Sequence, residues 1–339
     1  MPWIDAQPGC ALARRLPGWF LAHWQRLALA MPDPDPFCGA PVWNLAYHQV
    51  INCDRSVYYA ASEGAALLFG LAQSLTGEHL LLPLEDSWFY GRPLLGADAA
   101  DLLVYALPEL AAKCAPEQPV LLLSGILPGS PLARRLLHVL PAGWALYRYG
   151  KTSQRSASLG DGLDGWLGRR SASLRRSLRR SMKKALDAGI QFERVRPAPE
   201  HVDAVYGRML RIEAESWKGV GCCGMGESPS REFYHEMLRL LAPARDALII
   251  FATRGEEDAG FIFGGLAGGY YRGQQFSYAL KWGSLSPGNL MQQEKVRWLC
   301  ELGMGRYDMG PAIGPRMEYK HHWTEAGREF QTWLMRREN

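Results

Sequence analysis

Residues 278–303 read "YALKWGSLSPGNLMQQEKVRWLCELG". A strand-like run from Tyr278 to Trp282 enters a Ser-Pro-Gly turn at 286–288, and a long helix follows without a break. A helix start leaves backbone N–H groups unpaired, so strand, glycine turn and helix together form a layout that can cradle phosphates. The stretch is either such a cradle or only a turn, and its neighbours decide which.

Three strand candidates precede it: "ALIIFATRG", "DAGFIFGGLAGG" and "YYRGQQFSYALKW". After it come the short strand "RYDMG", the loop "PAIGPRMEYKHHWTEAG" and a last strand, "EFQTWLMRR". Further upstream, helices are expected at "PEHVDAVYGRMLRIEAESW" and "REFYHEMLRLLA". In the first half, "SVYYAAS" and "AALLFGLAQS" read as strands paired around Glu63-Gly64. "HLLLPLE" and "WFYGRPLL" read as further strands, and "PVLLLSGI" as a strand apolar on both faces. The segment 151–163, "KTSQRSASLGDGL", is rich in Ser and Gly and reads as a linker. The expected fold is therefore mixed α/β (α+β), with domains at 1–155 and 160–339, each a central mixed sheet flanked by helices.

The chain has 339 residues, 47% of them hydrophobic and 21% charged, which suits two globular domains with ample core. No apolar run approaches the roughly 18 residues that span a bilayer. The N-terminus has no basic start before an apolar core, so the cytoplasm is the expected compartment. Seven cysteines (10, 38, 53, 114, 222, 223 and 300) lack zinc-ligand spacing and read as reduced thiols. His321 and His322 have no third ligand at suitable spacing, and no metal is expected.

The net charge of +4 is uneven. Residues 169–184, "RRSASLRRSLRRSMKK", hold eight basic residues and no acid, and the rest of the chain is net −4. Leu174, Leu178, Met182 and Ala185 share one helix face beside the basic pairs. The basic side is a solvated face, a surface for a phosphate-rich partner or anionic membrane, or a holder of substrate phosphates.

Four stretches in this order carry a resemblance: the basic helix with "DAGIQFERV", "ESWKG" at 215–219, "SPGNLM", and "YDMG…YKHHWTE" at 307–325. Residues 160–335 resemble an acyltransferase domain of the GNAT superfamily. More narrowly they are similar to the CelD-like acetyltransferases of bacterial polysaccharide loci, relatives of the Fem-type aminoacyltransferases. The first half fits a degenerate GNAT-like repeat, giving two tandem GNAT-like domains. The resemblance implies transfer of an acyl group from acyl-CoA, acetyl-CoA in the simplest case, to an amine or hydroxyl of a small molecule or saccharide precursor. Its alternatives are a Fem-like aminoacyltransferase using aminoacyl-tRNA and a catalytically silent binding protein.

The resemblance also implies roles. The CoA pyrophosphate would sit at Ser286, Gly288, Asn289 and Leu290, where glycine permits close approach and the helix dipole favours an anion. Here the loop departs from the usual pattern. It has one glycine, Pro287 lacks an N–H, and Lys281 is the nearest basic residue before it. Acyl transfer needs a base, an oxyanion donor and an acid for the leaving thiolate. Tyr278 is a candidate catalytic residue, on the strand that ends in the turn about where GNAT enzymes present groups to the acyl carbonyl, or else a cross-strand core aromatic. Glu215, with Glu213, is a candidate base, or else a solvated helix carboxylate. Asp308 sits in an apolar strand and needs a partner or a raised pKa. Trp217, Lys218, Tyr319, Lys320 and Trp323 form a candidate substrate set for a sugar or an anion, the alternative being core tryptophans and solvated lysines. His235, alone on its helix, reads as structural.

Overall fold

The computed structural model describes residues 3–7, 11–31, 35–312, 314 and 317–338; Cys10 lies outside them. The chain divides into two compact units, residues 1–152 with 328–339, and residues 153–327. Each is a mixed sheet with helices against it. No helix among the described residues is long and apolar enough to cross a membrane.

In the first unit the strands are β1 (Trp3–Ile4), β2 (Ser56–Ser62), β3 (Ala65–Gln73), β4 (His79–Leu82), β5 (Leu94–Gly96) and β6 (Val120–Ile126). They run in the order β1-β2-β3-β4-β6, with β5 paired to β3 and the C-terminal strand Ala326–Arg337 paired to β6. β2 and β3 form the expected hairpin, Ser62 opposite Ala65 across Glu63-Gly64. The helix Ala99–Cys114 lays Leu103, Leu107 and Leu110 into one cluster with Leu67, Phe69, Leu121 and Leu123.

"WFYGRPLL" is not a strand up to Leu94. Wholly buried Glu85 gathers its backbone instead. One carboxylate oxygen accepts from Trp88 N–H (2.5 Å) and Phe89 N–H (3.2 Å). The other accepts from Tyr90 N–H (2.9 Å), Gly91 N–H (2.9 Å) and Trp43 Nε1 (3.2 Å). A buried carboxylate is tolerated when N–H donors surround it. Those same donors are what a strand ladder would have used.

The second unit comprises the end of β7 (Trp144–Ser158) with β8 (Ile190–Val195), β9 (Ala247–Arg254), β10 (Glu257–Ala267), β11 (Tyr270–Tyr278) and β12 (Arg306–Gly310), ordered β7-β12-β11-β10-β9-β8. Residues 151–158 are therefore strand rather than linker. They pair with β12, Ser158 opposite Arg306 and Arg155 opposite Gly310. Gln154, Ser156 and Ala157 are buried there; small side chains that read as linker composition are what a covered strand accommodates. On one face of the sheet, Leu178 and Ala185 of the helix Ala172–Asp187 join Leu290, Met291 and Val296 of the helix Pro287–Glu301 and Leu248, Ile250 and Ile262. Against the other face lies the helix Val202–Ala214, whose Arg208 stacks 3.8 Å from the Phe251 ring centre and pairs with Asp258 and Glu193.

Two registers position the site. β10 and β11 pair from Ala267/Tyr270 to Gly260/Tyr278, with a shift between Phe263/Gln275 and Gly264/Gly273 that leaves Gln274 as an extra residue. β11 and β12 pair in parallel only over Tyr270–Arg272 and Arg306–Asp308. Beyond Arg272 the two strands part, and β11 runs on without β12.

Glu85→Gln keeps the shape but replaces one acceptor oxygen by an NH2 that faces N–H donors. Equilibrium denaturation should show a loss of about 3 kcal/mol. A change below about 0.5 kcal/mol would show that the carboxylate does not hold the loop.

Candidate active site

The parting of β11 from β12 opens a cleft with two lobes. A main lobe of about 320 Å3 is walled by β11 from Gly273 to Phe276, by Tyr307 and Met309 of β12, and by Trp217, Lys218, Tyr319 and Lys320. A smaller corner lobe of about 200 Å3 lies against Gly283, Ser286, Gly288 and Asn289. Phe276, Tyr278, Gln292 and Tyr319 line both lobes and form the wall between them.

The corner lobe is the Ser-Pro-Gly turn. The strand ends at Tyr278, and a 3-10 segment, Leu280–Leu285, follows, so the expected strand to Trp282 stops short. Ser286 takes the left-handed conformation (φ +55°), and the helix begins at once with Pro287 in its first turn. Gly288 and Asn289, in the first turn where N–H groups lack an intrahelical partner, line the lobe. Leu290 departs from the expectation: its N–H already bonds Ser286 O (3.3 Å) and its side chain is in the core. A Cβ at Gly288 would stand 3.2 Å from the Phe276 ring and 3.3 Å from the Tyr278 ring. The glycine is thus what keeps this corner open.

In the main lobe, Ser216 caps the short helix Trp217–Val220 by accepting from Lys218 N–H and Gly219 N–H. That cap turns the two residues after it toward β11. Lys218 Nζ donates to Gln275 Oε1 (2.8 Å) and to the Phe276 carbonyl (2.8 Å), on the part of β11 that β12 has left. Gln275 in turn donates to Tyr234 Oη (2.7 Å). Glu213, fully buried, accepts from Met225 N–H (2.9 Å) and stands 4.0 Å from Lys218 Nζ. Burial holds the Lys218 ammonium below its ordinary pKa. Lys320, also buried, donates to the Pro311 carbonyl (2.5 Å). Its pKa is lowered to about 7, chiefly by burial, then by Arg272 and by Lys218. Tyr307 donates to Gln292 Oε1 (2.7 Å), and Tyr319 meets the Phe276 ring edge-on at 5.7 Å. Burial raises both phenols well above their usual range, so they stay protonated at neutral pH.

The structure thus gathers Trp217, Lys218, Tyr278, Ser286, Gly288, Asn289, Tyr319 and Lys320 around one cleft. Three other candidates stand elsewhere. The Glu215 side chain is mostly exposed, 4.0 Å from Lys281, and lines neither lobe. Asp308 is buried beside Arg306, with Nε and Nη2 each 2.8 Å from a carboxylate oxygen, and it is not among the residues that wall the cleft. Trp323 is 2% exposed and stacks on Trp166 at 5.4 Å, so it belongs to the core. His235 bonds Asp203 (2.8 Å), as a structural histidine would. Gln275 and Gln292 were not anticipated. The pair of glutamines inside an apolar strand, and a glutamine one turn after Gly288, were the available signals.

Residues 172–321, a little under half of the chain, match the model of the acetyltransferase (GNAT) domain. No curated protein matches the chain. Among solved structures the chain is similar to FemX, with a TM-score of 0.66 and 10% identity over 92% of this chain and 95% of that one. It is similar to L-PGS from Bacillus licheniformis, at 0.56 and 14% over 99% and 94%. It is also similar to a conserved protein of unknown function from Bacteroides thetaiotaomicron, at 0.61 and 13% over 94% and 97%. At these identities the likeness is one of fold. The chain carries a GNAT-type acetyltransferase domain, and the enzyme is an acyltransferase.

Proposed function

We propose that the protein moves an acetyl group from acetyl-CoA, acting in the cytoplasm, to an amine or hydroxyl of a small molecule or saccharide precursor, as a CelD-like acetyltransferase would. The observation that carries this reading is the two-lobed cleft with Tyr278 in its dividing wall. The corner lobe suits the donor: a glycine without side chain, two N–H groups and the positive end of a 15-residue helix converge there. The main lobe suits the acceptor, with Trp217, Phe276 and Tyr319 offering apolar faces to a small ring.

The acceptor nucleophile attacks the thioester carbonyl, the C–S bond breaks, and the proton lost by the nucleophile must reach solvent while the leaving thiolate gains one. Of the two phenols in the dividing wall, Tyr319 and Tyr278, we assign to Tyr278, on the strand end beside the donor turn, the donation to the thiolate. The walls of the main lobe hold no carboxylate or histidine among the described residues. The positive charge of Lys218 and Lys320 disfavours an acceptor ammonium, so an amine acceptor enters in its neutral, nucleophilic form.

A second reading, an aminoacyl-tRNA donor, is favoured by one observation. The helix Ala172–Asp187 exposes Arg176, Arg179, Arg180 and Lys183 on one surface. On the same helix, Lys184 Nζ donates to the Ser284 carbonyl (2.9 Å), two residues before Ser286. Positive charge thus reaches the edge of the donor corner from outside the turn.

Thermal shift separates the readings: acetyl-CoA should raise Tm, and tRNA should not. Stabilisation by tRNA with none from acetyl-CoA would select the second. Gly288→Val fills the corner lobe and should weaken acetyl-CoA binding at least about tenfold, read by calorimetry. Unchanged binding would mean the turn is only a turn. Tyr278→Phe should lower kcat on the order of 100-fold with KM for the donor nearly unchanged; full kcat would remove Tyr278 from the chemistry.

A further inference from the structure

The charges in the acceptor lobe point to one kind of ligand. Lys218 and Lys320 enter its wall from different elements, and no Asp, Glu or His shares the wall with them among the described residues. Among the described residues Lys218 has one acidic neighbour, set back from the cavity, and the groups acting on Lys320 are cationic. Lys218 Nζ has neutral acceptors in Gln275 and the Phe276 carbonyl, with Glu213 at 4.0 Å behind it. Among the described residues, Lys320 Nζ bonds the Pro311 carbonyl.

The groups facing this pair come from every surrounding element. β11 brings Arg272, which together with Lys218 acts on Lys320 as a positive neighbour. β12 brings Asp308, occupied by Arg306, and protonated Tyr307. The loop after the short helix brings Cys223 to the wall, its Sγ 3.7 Å from the Lys218 carbonyl. Tyr319 and Tyr278 complete the wall. No negative charge in that set stands between the two ammonium groups at the cavity surface. Buried cations without a counter-charge are costly, and a ligand anion removes the cost.

We propose that the acceptor carries an anionic group, a carboxylate or a phosphate, that binds between Lys218 and Lys320 while its nucleophile reaches the Tyr278 wall. This rests on the assignment of the main lobe to the acceptor. Trp217 and Tyr319 then bracket the uncharged body of the acceptor. The clamp is also proton-linked. Lys320, lowered to about 7 by burial and its cationic neighbours, is largely neutral at pH 8 and must take up a proton to hold the anion. Affinity for the anion therefore rises as pH falls from about 8 toward 6.

The test has two arms. The first uses inorganic phosphate alone, with no acyl donor, in calorimetry at pH 8 in buffers of different ionisation enthalpy. Phosphate should bind with uptake of up to about one proton beyond its own ionisation. Lys320→Met should lose both binding and uptake, whereas Lys320→Arg should keep binding and lose uptake. The second arm measures acetyl transfer to matched acceptors, glucosamine 6-phosphate against glucosamine and β-alanine against β-alaninamide, which also tells phosphate from carboxylate. The anionic member of at least one pair should show a kcat/KM at least about tenfold higher, and Lys218→Met or Lys320→Met should bring the ratio near one. Acetyl-CoA binding by each variant checks that it is folded.

A protein that transfers acetyl groups yet neither binds phosphate through these lysines nor prefers an anionic acceptor overturns the clamp. A lysine-dependent preference for succinyl-CoA over acetyl-CoA also overturns it, by placing the anion on the donor. Lysine-dependent phosphate binding without acetyl-CoA binding leaves the clamp standing and overturns the donor assignment instead.

Discussion

The site exists because β12 follows β11 for three residue pairs and then leaves it. A parallel pair that continued would bury the backbone of Gly273–Tyr278 in a ladder and close the sheet. Parting the strands exposes main-chain polar groups, which need other partners. Lys218 supplies one of them by bonding the Phe276 carbonyl. Close contacts on either side fix where the parting occurs. A Cβ at Gly310 would press to 2.3 Å from the Arg272 guanidinium, and one at Gly264, beside the extra residue Gln274, to 2.3 Å from the Arg272 carbonyl oxygen. Both glycines therefore let β11 and its neighbours crowd together at the base of the cleft while the strands diverge above it.

Buried charge is handled in opposite ways in the two units. In the first, Glu85 meets five N–H groups and is fully satisfied, so it works as a local backbone organiser. In the second, Lys320 meets a carbonyl and the field of Arg272 and Lys218, while Lys218 meets Gln275, a carbonyl and, at 4.0 Å, Glu213. A satisfied charge holds structure in place, whereas an uncompensated one is held ready for a ligand. Asp308, paired with Arg306, is a buried charge of the first kind, with its counter-charge beside it.

The turn-to-helix corner was legible because its signals are local: proline in the first helical turn, one glycine beside it, and a strand before it. The order of strands and helices in the second unit was legible for the same reason, because apolar periodicity survives in sequence. What sequence could not carry was partnership. "WFYGRPLL" has strand composition, but its N–H groups answer to a carboxylate that precedes it. "KTSQRSAS" has linker composition, but β12 arrives beside it from 150 residues away. Glu215 and Trp323 lie in or beside the correct motifs and point elsewhere, one to solvent and one onto Trp166. Lys218 and Lys320 were named as substrate residues from composition. Their chemistry comes from burial, which only the fold sets.

The division of the chain has a consequence for how the protein is made. The first unit comprises residues 1–152 and 328–339, with the acyltransferase unit inserted between them. The strand that flanks β6, with Leu121 opposite Met335, follows the inserted unit along the chain. On the ribosome, the inserted unit has all its residues while the first still presents β6 as an open apolar edge. An open edge is where strands pair wrongly. Covering the β6 edge thus waits on residues that emerge only after the whole inserted unit has been made.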